Sequence, residues 1–311
     1  MSTTPSPTPA PASPAALPLP LPERGRGPAR LGPVGLVLAA GVSVQFGAAL
    51  AVLIMPRAGA AGVVTLRLAA AAVVLLLVCR PKVRGYSRAD WGTVVAFGVA
   101  MAGMNGFIYQ AIDRIPMGPA VTLEVLGPLA LSVIVSRRLV NLLWAGLALA
   151  GVVLLSGHGG GFGSLDLVGA AFAVGAGAMW AAYIVFSART GRRFPQADGL
   201  ALAMVVAAVL SLPLGVMEAG PALLVPSTLA LGVGVAVLSS VLPYTLELLA
   251  LRRLPAPTFA ILMSLEPAIA ATAGFVILHQ AMSTTDALAI ALVIAASMGA
   301  VRSQAGRREK R

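Results

Sequence analysis

Ten apolar runs, separated by short segments that hold most of the charged residues, extend from residue 33 to residue 301. A helix needs about 20 apolar residues to cross the hydrocarbon core of a bilayer. Each run is therefore predicted to form one membrane-spanning helix. The predicted spans are 33–55, 60–79, 91–112, 116–136, 140–157, 165–187, 198–217, 228–250, 256–278 and 283–301.

The segment before the first span has a different composition. Residues 1–31 consist largely of Ser, Thr, Ala and nine prolines, so they have little apolar surface to bury and are predicted to form a disordered cytoplasmic tail. The rest of the chain is divided into a five-helix half at residues 32–160, a second five-helix half at residues 161–302, and a basic cytoplasmic tail at residues 303–311.

Composition and charge support a polytopic membrane protein. The chain is 58% hydrophobic and only 11% charged, far from the average of soluble domains. Of its 22 Lys and Arg residues, 19 lie in segments that are cytoplasmic if the amino terminus is inside, whereas Arg57 and Arg114 lie outside. This bias predicts that both termini are cytoplasmic. The net charge of +11 is not expected to bind nucleic acid, because no basic face is interleaved with aromatic residues.

A short pattern occurs once in each half, 139 residues apart. Pro116 and Pro128 of the fourth span correspond to Pro255 and Pro267 of the ninth. Because the fourth span is predicted to run inward and the ninth outward, the halves are predicted to be inverted repeats. Secondary transporters are built in this way, with their substrate near the midplane between the halves. A duplication without transport is the alternative.

Arg67 and Glu124 are charged residues inside predicted spans, where a charge without a partner or a function is costly. Both lie roughly 10–12 Å from the outer ends of their spans, counted at 1.5 Å per residue. They could form a structural ion pair between two helices. Alternatively, either group could face a water-filled cavity and bind substrate.

Two further acids lie in the second half. Glu266 is about 15 Å from the inner end of its span, near the midplane, and no base of matching depth remains for it. It is a candidate for proton binding and release, and a permanently protonated, hydrogen-bonded acid is the alternative. Glu247 is nearer the inner end of the eighth span, where a structural role or pairing with Arg252 or Arg253 is expected.

Several uncharged polar or aromatic residues within spans are candidate cavity liners, with ordinary interhelical hydrogen bonding as the alternative for each. They are Gln45, Asn105, Tyr109, Trp180, Tyr183 and Tyr244. Small residues spaced by four are predicted to let helices approach closely. These pairs are Ala102 with Gly106, Ala171 with Gly175, and Gly177 with Ala181.

Patterns that carry catalysis or metal binding are missing from the sequence. It has no paired-aspartate intramembrane motif and no Ser/His pair in facing spans, and its single cysteine, Cys79, cannot form an internal disulfide. The two histidines, His158 and His279, have no partner spaced for metal binding. Neither an enzyme nor a bound cofactor or metal is therefore expected.

The order of motifs also resembles a known family. The stretches that carry the resemblance are 62–68, 103–138, 175–180, 236–247 and 263–267. They are similar to the EamA-type branch of the drug/metabolite transporter superfamily, and within it to bacterial inner-membrane threonine/homoserine exporters. The resemblance implies ten spans in two inverted repeats, an inner-membrane location, and export of small amphipathic substrates in exchange for protons. A monomer and a homodimer both remain open.

One departure from the family pattern follows the ninth span. Such proteins usually carry Gly-Glu where this chain has His279 and Gln280. A helix-capping role is expected for this position, and Gln280 can still hydrogen-bond. The functional prediction is export of threonine, homoserine or a similar amino acid by proton antiport. Export of another metabolite or a drug, and a membrane scaffold without transport, are the alternatives.

Overall fold

The computed structural model describes residues 32–136, 139–156, 166–195, 197–251, 254, 259 and 262–308, and every regular element in these ranges is helical. The predicted tail at residues 1–31 lies outside the described residues. The first half contains α1 (Pro33–Val52), α2 (Met55–Cys79), α3 (Arg88–Ile112), α4 (Met117–Glu124), α5 (Leu126–Ser136) and α6 (Leu139–Ser156). The second half contains α7 (Leu167–Gly191), α8 (Asp198–Ala219), α9 (Pro226–Ala236), α10 (Leu242–Leu251), α11 (Glu266–Leu278) and α12 (Thr284–Arg308).

The helices follow the predicted spans with some subdivision. Among the described residues, α1, α2, α3, α7, α8 and α12 are long and apolar enough to cross a membrane. The fourth span is divided into α4 and α5, and the eighth into α9, a π-helical segment (Val237–Val241) and α10. The last helix continues to Arg308, beyond the predicted end at residue 301. The chain is therefore an all-helical, multi-pass membrane protein.

Proline explains where the spans are interrupted. Pro128 cannot donate a hydrogen bond to the carbonyl of Glu124, four residues earlier, and α4 ends at Glu124. Pro267 lies in the first turn of α11, where the missing N–H costs little. Pro213 is exposed inside α8, and the helix continues through it. The fourth span, and the ninth span with its turn at Ser264 and Leu265 before α11, are thus each interrupted next to an acid.

Helices of the two halves pack against one another throughout. The pairs between halves include α2 with α8 and α9, α3 with α7 and α8, α4 with α7, α11 and α12, α5 with α7 and α12, α6 with α12, and α1 with α9, α10 and α11. Many fully buried positions are alanine, including Ala40, Ala71, Ala111, Ala120, Ala176 and Ala203. Small side chains allow helix backbones to approach closely in lipid, where packing rather than the hydrophobic effect drives association.

Contacts between loops also join the halves. On the predicted inner side, Arg193 Nη1 and Asp90 Oδ1 form an ion pair of 2.8 Å, and the rings of Tyr86 and Phe194 have centroids 4.3 Å apart. On the predicted outer side, Arg114 Nη1 lies 3.7 Å from an oxygen of the Asp166 carboxylate. The charged side chains of these pairs are partly or largely exposed, so their contribution to stability is small.

Candidate functional site

Arg67 is the buried cation of the candidate site, with 9% of its surface exposed. Its Nη1 donates to Tyr109 Oη at 3.2 Å, and its Nη2 donates to the carbonyl of Ser239 at 3.0 Å. Its Nε makes a longer contact of 3.4 Å with Ser240 Oγ. The Tyr109 ring centroid is 5.7 Å from Cζ, within the range of a cation–π interaction. Partners from α3 and from the π-helical segment therefore fix the guanidinium.

The sequence reasoning missed Ser239 and Ser240. The signal that could have found them is Pro243, because proline cannot donate to the carbonyls four and five residues earlier. These carbonyls belong to Ser239 and Leu238, and side chains of the first half occupy both: Arg67 donates to the first and Ser43 Oγ to the second. Single turns of π-helix occur frequently at functional sites.

Glu124 is the last residue of α4 and is also 9% exposed. Its carbonyl lies so close to Gly177 of α7 that a Cβ on this glycine would overlap it. A Cβ on Gly127 would likewise overlap the carbonyl oxygen of Gly177. The break between α4 and α5 thus lies directly against the backbone of α7, which is the close approach predicted for Gly177.

Arg67 and Glu124 do not form a direct ion pair in this structure. The ion pairs within 4.0 Å among the described residues are those of Asp90 and Asp166 with loop arginines. The charge of Arg67 nevertheless attracts the Glu124 carboxylate at longer range. Neither charged group is therefore neutralised by direct contact with the other.

Glu266 is the first residue of α11 and is 7% exposed. The amino-terminal end of a helix has a partial positive charge, which favours a carboxylate there. Glu124 and Glu247 are close enough for their negative charges to repel that of Glu266. Charges on Glu124 and Glu247 therefore influence Glu266, and the charge of Arg67 influences Glu124.

The predicted cavity liners differ in how they relate to this group. Tyr109 is 1% exposed and is bonded to Arg67, so it belongs to the site. Asn105 is buried, but its Nδ2 donates to the carbonyl of Met101 in its own helix at 2.9 Å. Gln45 is buried on α1.

On α7, Trp180 and Tyr183 are partly buried, and the Tyr183 ring centroid lies 5.2 Å from that of Phe97. Glu247 is partly buried on α10. Arg252 and Arg253, the partners expected for Glu247, lie outside the described residues, as does the side chain of Tyr244.

Two side chains at the ends of second-half helices cap helices of the first half. Gln280 Oε1 accepts a hydrogen bond from the Met117 N–H at 3.1 Å, so Gln280 does hydrogen-bond as expected, but the helix that it caps is α4 and not the end of its own span. The preceding His279 adopts a left-handed backbone with φ 53°. At the end of α8, which the sequence reasoning did not single out, the Glu218 carboxylate accepts from the N–H groups of Ala60 and Ala61 at 3.2 and 2.6 Å. These two residues begin the part of α2 that follows a kink at the non-helical Gly59.

The site combines a fixed cation with buried carboxyl groups. Three of the five N–H groups of Arg67 are occupied, which leaves two that have no partner among the described residues. Carboxyl groups nearby can meet a cation or carry a proton. Within the described ranges, no cluster of three or more His, Cys, Asp and Glu side chains could hold a metal ion.

Comparison with known proteins places these residues in a family context. The model of the EamA-like transporter family matches residues 167–302. The threonine/homoserine exporter RhtA of Salmonella typhimurium is 42% identical over 267 residues, which is 86% of this chain and 90% of the relative. RhtA of Escherichia coli K12 is 41% identical over the same shares.

A solved crystal structure supports the fold. It aligns with 91% of this chain and 100% of its own, with a TM-score of 0.59 and 20% sequence identity. At that identity the likeness concerns the fold alone.

Proposed function

The chain belongs to the EamA-like transporter family, and we propose that it exports threonine, homoserine or similar small amino acids by proton antiport. Identity above 40% across most of both chains supports the substrate class, because the relatives are named threonine/homoserine exporters. The chain is a multi-pass protein of the bacterial inner membrane. Its buried Arg67, held beside buried acids, is the observation on which the proposal rests.

The proposed architecture has ten spans in two inverted halves, residues 32–160 and 161–302, with both termini in the cytoplasm. The packing pairs support it, because exchanging the halves maps most of them onto one another. The contact of α3 with α7 becomes that of the eighth span with α1, and the contact of α4 with α7 becomes that of α11 with α1. The pairs α2–α8, α4–α11 and α6–α12 map onto themselves.

In this proposal Arg67 binds the carboxylate of the amino acid. A guanidinium presents paired donors that match a carboxylate, and the two unoccupied N–H groups are available for it. Glu124 then meets the ammonium group, because it is buried within the electrostatic range of Arg67 without pairing to it directly. A zwitterion thus finds an opposite charge at each end.

Glu266 is proposed to carry the coupling proton. A zwitterion has no net charge, so the membrane potential contributes little to its export, whereas one proton moving inward gains about 2.3 kcal/mol per 100 mV. Glu124 and Glu247 repel a negative charge on Glu266, so binding of the ammonium beside Glu124 would favour proton release. Substrate and proton would therefore exclude each other electrostatically.

Proteoliposomes loaded with labelled threonine or homoserine test both parts of the proposal. An acidic external medium is expected to accelerate efflux, and Glu266→Gln should remove this acceleration while counterflow exchange of the amino acid persists. Asp113→Asn, which changes an exposed acid after α3, is the matched control and should behave as wild type. Efflux that ignores the pH gradient in the wild type would exclude proton antiport. Transport of dyes but of no amino acid would favour a drug exporter instead.

A further inference from the structure

Pro243 leaves two carbonyl groups of the π-helical segment without a helical donor, and Arg67 binds one of them. In this segment the N–H of Leu242 donates to the carbonyl of Val237, five residues earlier. The next N–H in this series would belong to residue 243, but proline has none. The carbonyls of Leu238 and Ser239, which an N–H at residue 243 could have reached, therefore require other donors.

Both donors come from the first half of the chain. Ser43 Oγ of α1 donates to the Leu238 carbonyl, and Arg67 Nη2 of α2 donates to the Ser239 carbonyl at 3.0 Å. The Ser239 acceptor is buried, since this residue is 2% exposed, whereas the bond from Ser43 to the Leu238 carbonyl is partly buried. The hydroxyl of Ser239 donates to the carbonyl of Val235 in its own helix, so the main chain is what holds the guanidinium.

This anchor restricts how Arg67 can act. A buried carbonyl without a donor is costly in a membrane interior, where water cannot replace the lost partner. Arg67 is therefore held to the Ser239 carbonyl, and this bond fixes the direction in which its unoccupied N–H groups point. The guanidinium at the end of a long, flexible side chain is in this way fixed in one orientation before a ligand binds.

We infer that Pro243 is a positioning residue, which orients Arg67 for the substrate carboxylate by freeing the Ser239 carbonyl. This inference rests on the proposed function, in which Arg67 binds that carboxylate. Pro243→Ala restores an N–H within reach of the Leu238 and Ser239 carbonyls, which competes with Ser43 and Arg67 for these acceptors. The KM for threonine efflux is expected to rise about tenfold with a maximal rate within about twofold of wild type, since Arg67 itself remains present.

Pro213→Ala is the matched control, because Pro213 also lies within a helix but is exposed on α8. It should leave both kinetic constants unchanged. Ser240→Ala is a second variant that leaves the backbone intact and removes only the longer contact with Nε, and it should raise the KM about threefold. An unchanged KM in Pro243→Ala would overturn the inference, whatever Ser240→Ala does.

A measurement without substrate separates the inference from the proposed function. Melting temperatures in detergent are compared for wild type, Pro243→Ala, Arg67→Lys and the double variant. Non-additive shifts are expected, because both changes act on the same bond to the Ser239 carbonyl. Additive shifts would overturn the inference even if threonine is transported. Coupled shifts without amino-acid flux would retain the anchor and reject the proposed substrate.

Discussion

The fourth and ninth spans are both interrupted next to a buried acid, but the acids occupy opposite ends of their helices. Glu124 ends α4, whereas Glu266 begins α11. The prolines at positions 128 and 267 correspond in the repeat, so it is the acid that has moved by three residues. A carboxylate is disfavoured at the carboxyl end of a helix and favoured at the amino end.

The surroundings compensate for this difference. Glu124, at the unfavourable end, is attracted by Arg67, while Glu266, at the favourable end, is repelled by Glu124 and Glu247. The duplicated scaffold thus supplies two similar interruptions, and the position of one side chain gives each a different charge environment. This difference underlies the proposed division between substrate binding at Glu124 and proton coupling at Glu266.

The largest effect is expected where the fourth span touches α7. Gly127→Ala places a methyl group on the carbonyl of Gly177. Because the atoms that it meets all belong to the Gly177 backbone, the two helices must separate. The free energy of unfolding is expected to fall by about 3 kcal/mol. Denaturation by SDS titration in micelles measures the change.

The ninth span provides the contrast to this variant. In Gly274→Ala the added methyl group meets mainly the end of the flexible Gln280 side chain, so a loss of about 1 kcal/mol is expected. Gly106→Ala is the control, because nothing lies within 4 Å of a Cβ at this position, and it should gain roughly 0.5 kcal/mol. Equal losses at residues 127 and 274 would contradict the distinction between the two spans.

The next largest effect concerns the acids themselves. Glu124→Gln removes the attraction to Arg67 but also the larger cost of burying a carboxylate, so the free energy of unfolding should stay unchanged or rise slightly. Glu266→Gln relieves both the burial and the repulsion by Glu247 and Glu124, so it should raise the free energy of unfolding by more. Parallel SDS titrations at neutral pH compare the two variants, and a larger gain in Glu124→Gln than in Glu266→Gln would reverse the proposed electrostatic roles.

Much of this fold could be predicted from the sequence because a run of about 20 apolar residues is enough to predict a membrane helix. Apolar runs gave the helices, and the offset between the two proline patterns indicated that the acids are not equivalent. Arg67 and Glu124 were found because a charge in an apolar run is conspicuous. That Arg67 binds Tyr109 and the Ser239 carbonyl instead of pairing directly with Glu124 could not be predicted, since matching depth does not determine which partner a flexible arginine takes.

Other features depend on tertiary contacts that local patterns do not encode. Gly106 and Gly177 follow the same small-residue spacing, yet a Cβ would meet backbone at Gly177 and nothing within 4 Å at Gly106. The acceptor for Arg67 is a main-chain carbonyl, which no side-chain pattern reveals. Gln280 caps a helix 163 residues away in the chain, so only the folded arrangement identifies its partner.

A smaller gain in stability is expected at the end of the ninth span. His279 adopts a left-handed backbone conformation that is strained for a residue with a Cβ. His279→Gly is expected to raise the free energy of unfolding by about 0.5–1 kcal/mol, because glycine removes the strain at some entropic cost. Thermal unfolding in detergent measures the gain. Arg80→Gly, which changes the equivalent position after α2, should shift in the same direction.

The smallest effect is expected at the contact of Gln280, after the ninth span, with the first residue of the fourth-span helix α4. Gln280→Glu places a carboxylate at the amino end of α4, where the helix dipole favours it, and should add about 0.5 kcal/mol at low salt. Gln280→Leu keeps the size but removes the acceptor for the Met117 N–H and should destabilise the protein. If added salt does not reduce the gain from Gln280→Glu, the dipole explanation is wrong.

The caps supplied by Glu218 and Gln280 also bear on how the protein is made. The helices that they cap, α2 and α4, leave the ribosome well before the residues that complete them. During synthesis the amino ends of these early helices must satisfy their N–H groups with water or headgroups at the membrane surface. They exchange these partners for protein side chains only when the later helices insert. Final consolidation of the first half is therefore a post-insertion event that requires the second.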